Sequence, residues 1–386
     1  MLLKEIDKTQ NPLYEKISGP QELRVPQTEA ERLIWFINAQ RRSYHLSFSP
    51  VKNHVLTVNP DFPDLPLRLE QGKPSPLGLF AEAVLTTNPK DSSNGNHVLE
   101  VWPRVHQRSA LLGRVLFADG EGRPYRDIDA KGIGWIYLAM RNGMGFLTVG
   151  QSGQELPHTE GRYGLFSLER AENEFQWSRE FSRLGIRAVQ VLAMIGLEEL
   201  IVENRKRSLT EAVNLGLLDK QFEPVITIRA FGTKARVADI VDDDIFKADS
   251  GFSRLLLEDA IALVSQEFNR TFFSTEDYFL WFAKTLGRNV GLMHKNGWLH
   301  YWFTPHNITL DCRIVDLDTV SPLTGKDAQK RDVEGARNTL GYFFSTVTSL
   351  ENRFLGISWT DLKRRFQEEY DAIFPFAEQT AQGLGY

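Results

Sequence analysis

The chain of 386 residues has one cysteine, Cys312. It can close no disulfide within itself and cannot assemble the thiolate-rich sites that hold structural zinc. No uninterrupted apolar run approaches the ~20 residues a helix needs to cross a bilayer, so no membrane partner is expected. The opening stretch MLLKEIDKTQNPLYEK has no apolar core followed by a small-residue cleavage site, and a cytoplasmic protein is expected. No block of lysine and arginine stands out, the aromatics are not interleaved with one, and the net charge is −5 with a pI near 6.0. Nucleic acid is therefore not an expected partner. There is no low-complexity tract and no repeat of fixed period. What remains is ordinary for a globular protein with ample core: 42% hydrophobic and 25% charged residues.

The pattern along the chain changes twice. Residues 28–41, EAERLIWFINAQRR, predict a helix with Leu33, Ile34, Phe36 and Ile37 on its apolar face. Five prolines in 59–79 predict extended or looped chain and a boundary. From about 97 to 230 come short β-like runs separated by Gly and Asn/Asp turns: HVLEVWP, GRVLFAD, GWIYLAM, GFLTVG and PVITIRAF. Helices are expected over 166–184, stopped by Gly185, and near 207–217. Beyond 236 the chain reads as mainly helical, over 251–268, 275–295, 330–348 and 359–372, with two or three short strands around 298–322. A β-rich half holding one conspicuous helix, then a helical half, is an α+β, protein-kinase-like bilobal layout. The expected divisions are an N-terminal extension over 1–96, a β-rich N-lobe over 97–240 and a helical C-lobe over 241–386.

Chemistry gathers in a few places. Mg²⁺ takes hard oxygen ligands. Asn307 and Asp316, nine residues apart at two neighbouring loop–strand junctions, can supply a carbonyl and a carboxylate, with Asp318 as a second carboxylate nearby. KGIGW at 131–135 offers a lysine charge and glycines, Gly132 and Gly134, that let backbone N–H groups approach a phosphate. On the 166–184 helix, Glu172, Glu174 and Glu180 are each candidates to anchor a strand lysine, as a helix carboxylate does in kinase-like folds. Arg229 follows a buried strand and Arg236 comes seven residues later; two guanidinium forks suit a polyphosphate. Where a kinase keeps its catalytic aspartate, this chain reads Tyr301-Trp302-Phe303. His294, His300 and His306 have irregular spacing and suit structural roles better than zinc. Cys312 reads as a small buried hydrophobe, and Trp298, Tyr301, Trp302 and Phe303 as a cluster that is mostly core.

In that order, these segments resemble the selenoprotein O family. KGIGW is similar to its Lys-Gly-x-Gly segment, and EGRYGLFSLERAENEFQWSREFSRLGI to its Asp-Gly-Arg segment and following helix. EPVITIRAFGTKAR is similar to its Glu-Pro strand with two arginines, and HNITLDCRIVD to its metal-binding loop and strand. The likeness covers about residues 125–345 and implies a kinase-like fold that transfers AMP from ATP to hydroxyls. It implies Lys131 on phosphate, Glu174 on Lys131, Arg229 and Arg236 on the polyphosphate, and Asn307 and Asp316 on Mg²⁺, with Gly161 and Arg162 near the nucleotide. The chain departs from the family in three ways. His306 replaces the aspartate that precedes the metal asparagine, Glu160 replaces the acid before Gly-Arg, and the insert between Lys131 and Glu174 is longer.

An imidazole beside the metal can accept a hydroxyl proton, since its ordinary pKa lies near neutrality. His306 and Asp316 are thus the expected catalytic pair. The first reading is an ATP- and Mg²⁺-dependent nucleotidyltransferase acting on a protein or small-molecule acceptor. The alternatives are a phosphotransferase of the same fold and a silent pseudokinase that binds or scaffolds.

Overall fold

The computed structural model describes residues 44–86, 97–101, 108–134, 136–141, 144–149, 164–202, 205–240, 250–351 and 355–375. The helix expected over 28–41, and Glu160, Gly161 and Arg162, lie outside them. The first part of the chain forms strands β1 (Tyr44–Pro50), β2 (Asn53–Val58), β3 (Leu79–Thr86), β4 (His97–Val101), β5 (Ser109–Ala118), β6 (Pro124–Lys131), β7 (Ile136–Arg141) and β8 (Met144–Val149). Helix α1 (Leu168–Arg183) follows, then β9 (Gln190–Leu197), β10 (Glu199–Val202), β11 (Arg205–Ser208), α2 (Leu209–Asn214) and β12 (Val225–Phe231). The second part holds α3 (Ser250–Glu267), α4 (Thr275–Lys295), β13 (Trp298–Leu299), β14 (Ser321–Pro322), α5 (Lys326–Glu351) and α6 (Trp359–Ile373).

Five strands make the central antiparallel sheet in the order β2-β9-β12-β6-β5. The expected boundary at residue 97 therefore does not bound the sheet. Asn53–Val58, assigned to an N-terminal extension, pairs with β9 as an edge strand. The proline-rich stretch that suggested a boundary is a loop after that strand, within the lobe rather than before it.

Two apolar cores mark two lobes. One gathers Val55, Ile128, Leu192, Ile195, Ile226 and Ile228 from the sheet. The other gathers Phe279, Phe282, Leu286, Leu340, Phe343 and Phe366 from the helices. Helix α4 buries Tyr278, Phe279, Phe282, Leu286, Val290 and Met293, the three-to-four spacing that places side chains on one stripe. Strand β6 works differently. Its side chains alternate, yet Asp127, Asp129 and Lys131 are as buried as Ile128 and Ala130. Buried charges need partners. Arg126 makes a paired hydrogen bond at 2.7 and 2.8 Å to Asp259 of α3, tying the sheet lobe to the helical lobe.

Helices α4 and α6 touch through backbone at Gly287, where an added Cβ would lie 2.3 Å from the Phe366 carbonyl oxygen. Gly287→Ala must therefore push the two helices apart. The expected cost is ~1–3 kcal/mol, read as a lower urea midpoint with an unchanged slope; an unaltered midpoint would refute this contact.

Candidate functional site in the interlobe cleft

The cleft is built from four pieces of chain. Helix α1 opens with the Ser167 hydroxyl accepting from the Arg170 N–H, and ends at Gly185 with φ +72°. Of its three candidate glutamates, Glu174 alone is fully buried, in the stripe of Ala171, Ser178 and Phe181. Glu172 is exposed, and Glu180 pairs instead with Arg183. Strand β6 ends at Lys131, whose Nζ lies 3.2 Å from Glu174 Oε2. The same ammonium lies 3.4 Å from Asp316 Oδ1, 3.2 Å from Asp318 Oδ1 and 4.1 Å above the centre of the Phe166 ring.

Strand β12 supplies Arg229, which faces Asp129 of β6 in register. Its Nε and Nη2 donate to the two Asp129 oxygens at 2.9 and 2.7 Å, and Nη1 donates to Glu174 Oε1 at 3.2 Å. Lys234 reaches the same aspartate at 2.8 Å. Burial pushes the Asp129 carboxyl up, but Arg229 and Lys234 outweigh it and hold the group below its ordinary range. Burial likewise drives the Lys234 ammonium below its usual value.

After β12 the chain is stitched to the helical lobe. Leu310 N–H donates to Ala235 O at 2.7 Å, and Val237 N–H to Ile308 O at 2.9 Å. This seats Arg236 between the lobes. Its Nη1 donates to the His306 carbonyl and lies 3.7 Å from Asp316 Oδ2. The residue is 1% exposed, yet Nε and Nη2 have no hydrogen-bond partner among the described residues. Buried donors left unmade are costly and point to a missing acceptor. Desolvation dominates at Arg236 and lowers its pKa.

The fourth piece is the tight turn over 307–315. Val315 N–H donates to Asn307 O at 3.0 Å, which sets Asn307 beside Asp316 at the open end of the turn. Asp316 has φ 58° and ψ 53°, a left-handed conformation uncommon for a residue with a side chain. The loop before it is held from below. Asp332 of α5 accepts from the His300 and Tyr301 N–H groups at 2.9 and 2.7 Å, and Asn307 Nδ2 donates to Trp302 O at 2.9 Å. His300 Nε2 donates to Val315 O at 2.7 Å, and burial keeps this imidazole's pKa low.

A strand lysine paired with a buried helix glutamate, under a loop pinned by a helix aspartate, decides the architecture. The fold is protein-kinase-like. No protein-family model matches the sequence, and neither does any curated protein. Among solved structures it is similar to WaaP in complex with acyl carrier protein, at 11% identity and TM-score 0.26, covering 72% of this chain and 89% of that one. It is also similar to a Toxoplasma gondii rhoptry antigen kinase domain, at 7% and 0.33, over 72% and 76% of the chains. A third is ROP2 from Toxoplasma gondii, described as having a protein-kinase fold and no enzymatic activity, at 9% and 0.32, over 95% and 92%. At these scores the likenesses carry no weight beyond themselves, and the fold rests on the contacts above.

Several expected roles change. Gly132 N–H is already given to Arg108 O at 2.7 Å, and φ is +95° with Val225 O 2.4 Å from where a Cβ would stand. This glycine answers a backbone requirement rather than a phosphate; Gly134 also has positive φ, +99°. Arg229, expected on polyphosphate, has its donors committed to carboxylates, which leaves Arg236 with the unmade ones. Among the aromatics, Phe303 is core, but Tyr301 and Trp302 are 42% and 59% exposed. His294 bonds Tyr370 and Asp332 and does not meet the exposed His306. Cys312 is fully buried. Asp129, Lys234 and Asp332 escaped sequence reading; the alternation in RDIDAK was the available signal for the first. A groove of about 890 Å³ on the outer face of α1, between Trp177, Trp298 and Arg179, contains none of the cleft residues.

Arg229→Ala would remove the cation shared by two buried carboxylates, leaving Asp129 to Lys234 and Glu174 to Lys131. The expected loss is ~3–5 kcal/mol, measured by urea unfolding at pH 7. Asp127 and Asp129 both have depressed pKa values when folded. Their contribution is therefore present above the unfolded value of ~3.9 and lost as pH falls through the folded values. Burial holds His300 neutral in the fold while the unfolded chain protonates it, so stability should begin to fall as pH drops below ~6.5 and fall further below ~4. A protein equally stable at pH 2.5 and pH 6 would contradict this.

Proposed function

We propose that this chain is an ATP- and Mg²⁺-dependent nucleotidyltransferase, of the type the selenoprotein O resemblance implies, moving AMP to a hydroxyl of a protein or small-molecule acceptor. One observation carries the reading: Arg236 is buried beside Asp316 with two donors unmade. The oxygens of a polyphosphate match a guanidinium fork buried between the lobes of a kinase-like fold. A cation also fits Asp316 and Asp318, whose carboxylate oxygens lie within 4.8 Å of each other beside Glu174.

On this reading Asn307 and Asp316 hold Mg²⁺, which when bound neutralises phosphate charge. Arg236 binds phosphate oxygens. Arg229 keeps Glu174 in place, and Glu174 keeps Lys131 at the cleft floor. His306, exposed at the cleft mouth, takes the acceptor's proton. Nucleotidyl transfer depends mostly on positioning and charge neutralisation. The loss of a carboxylate at Trp302 is therefore compatible with AMP transfer, and it argues against phosphoryl transfer by the usual loop aspartate. The same exposed tryptophan also supports a second reading, a silent nucleotide-binding scaffold.

ATP labelled at the α-phosphate distinguishes these. Label retained on an acceptor is expected; γ-label retained would mean phosphoryl transfer, and no label on any acceptor would mean a scaffold. Arg236→Ala should weaken ATP binding about 10- to 100-fold, the worth of a charged hydrogen bond. Glu180→Ala, outside the cleft, should leave it within about twofold. Equal effects in calorimetry would remove Arg236 from the site.

A further inference from the structure

The Lys131 ammonium has three protons and three carboxylates around it: Glu174 at 3.2 Å, Asp318 at 3.2 Å and Asp316 at 3.4 Å. The Phe166 ring closes another side at 4.1 Å. In this arrangement the lysine has no donor left for a phosphate. Glu174 cannot yield, since it is 0% exposed and Arg229 holds its other oxygen at 3.2 Å. The two aspartates sit on a short turn rather than inside a long helix; the Asp316 side chain is 23% exposed and the Asp318 side chain 4%. Asp316 opens the 3₁₀ turn Leu317–Thr319, and Asp318 lies within it. The second Asp318 oxygen rests against Arg170 Nε at 3.4 Å, and that arginine side chain is 39% exposed. Where the kinase signature has Asp-Phe-Gly, this chain has Asp316-Leu317-Asp318, so a carboxylate stands at the glycine position.

We infer that Asp318 is an exchanging carboxylate. Without a cation it holds Lys131. With a divalent cation it joins Asp316 on the ion and releases Lys131 toward phosphate. The inference rests on the cation-and-polyphosphate reading of the cleft. The unmade Nε and Nη2 donors of Arg236, whose Nη1 lies 3.7 Å from Asp316, point independently to an anion beside this carboxylate set. No covalent step is involved. The consequence is reciprocal coupling: cation and polyphosphate each raise the other's affinity, because both compete for the same lysine–aspartate contact.

The test uses Mn²⁺ alone, followed by electron paramagnetic resonance, and inorganic tripolyphosphate, followed by calorimetry with EDTA or with Mn²⁺. Asp318→Asn is expected to weaken Mn²⁺ binding at least tenfold. It should tighten tripolyphosphate binding several-fold in EDTA and abolish the enhancement that Mn²⁺ gives the unaltered protein. Lys131→Met, which releases both aspartates, should tighten Mn²⁺ binding several-fold and serves should the first variant fold poorly. Unchanged Mn²⁺ affinity in Asp318→Asn, or tripolyphosphate binding in EDTA that is unchanged or weaker, overturns the inference. So does Lys131→Met with unchanged Mn²⁺ affinity. Neither probe is a nucleotide. A failure of AMP transfer would therefore sink the nucleotidyl reading, while the role of Asp318 stands or falls on these affinities alone.

Discussion

The cleft depends on one buried contact, the Arg229 guanidinium spanning Asp129 and Glu174. Charges removed from water are expensive and must find partners in fixed geometry. Arg229 joins β12 to β6 through Asp129 and to α1 through Glu174. Three elements far apart in sequence are thereby fixed in register. Lys131 is the next residue on the same face of β6, so its ammonium inherits that register and meets Glu174. A hydrophobic contact here would have given cohesion without direction; a three-donor fork gives both.

The second constraint is between lobes. The chain after β12 hydrogen-bonds along the 305–315 turn, and Arg126 and Arg313 reach across to Asp259 and to the Pro124 carbonyl. Asp332 fixes the loop that carries Trp302, His306 and Asn307 by accepting two backbone N–H groups. The result is a floor of paired charges in which Arg236 keeps two unmade donors. Preorganised donors of this kind cost stability in the empty protein and are repaid only when an acceptor arrives.

Much of the helical half was legible. The expected spans for α1, α3, α4 and α6 fall within a few residues of their observed bounds, though α5 runs longer than expected at both ends. That a sheet-rich part precedes a helical one was legible from the change in pattern. Strands β6 and β9 were not. Strand β9, QVLAMIGL, is buried on both faces and has no alternation to read. Strand β6 alternates, but with charges buried on one face, which sequence logic assigns to solvent. Glu174 could not be told from Glu172 and Glu180 by spacing alone; the helix stripe selects it only once the sheet is present. The opposite error affected Gly132, where a glycine read as a phosphate cradle is a backbone necessity. Asp332 carried no local signal, since its role is to bond a loop more than thirty residues earlier in the chain.

The unmade donors of Arg236 are the feature on which the proposed polyphosphate site rests. The most direct measurement is a crystal structure of the full chain with Mg²⁺ and a non-hydrolysable ATP analogue. The expected result is a phosphate oxygen within hydrogen-bond distance of Arg236 Nε or Nη2, on the same side of the cleft as Asn307 and Asp316. An analogue bound elsewhere, with those two nitrogens still unpaired or satisfied only by water, would contradict it.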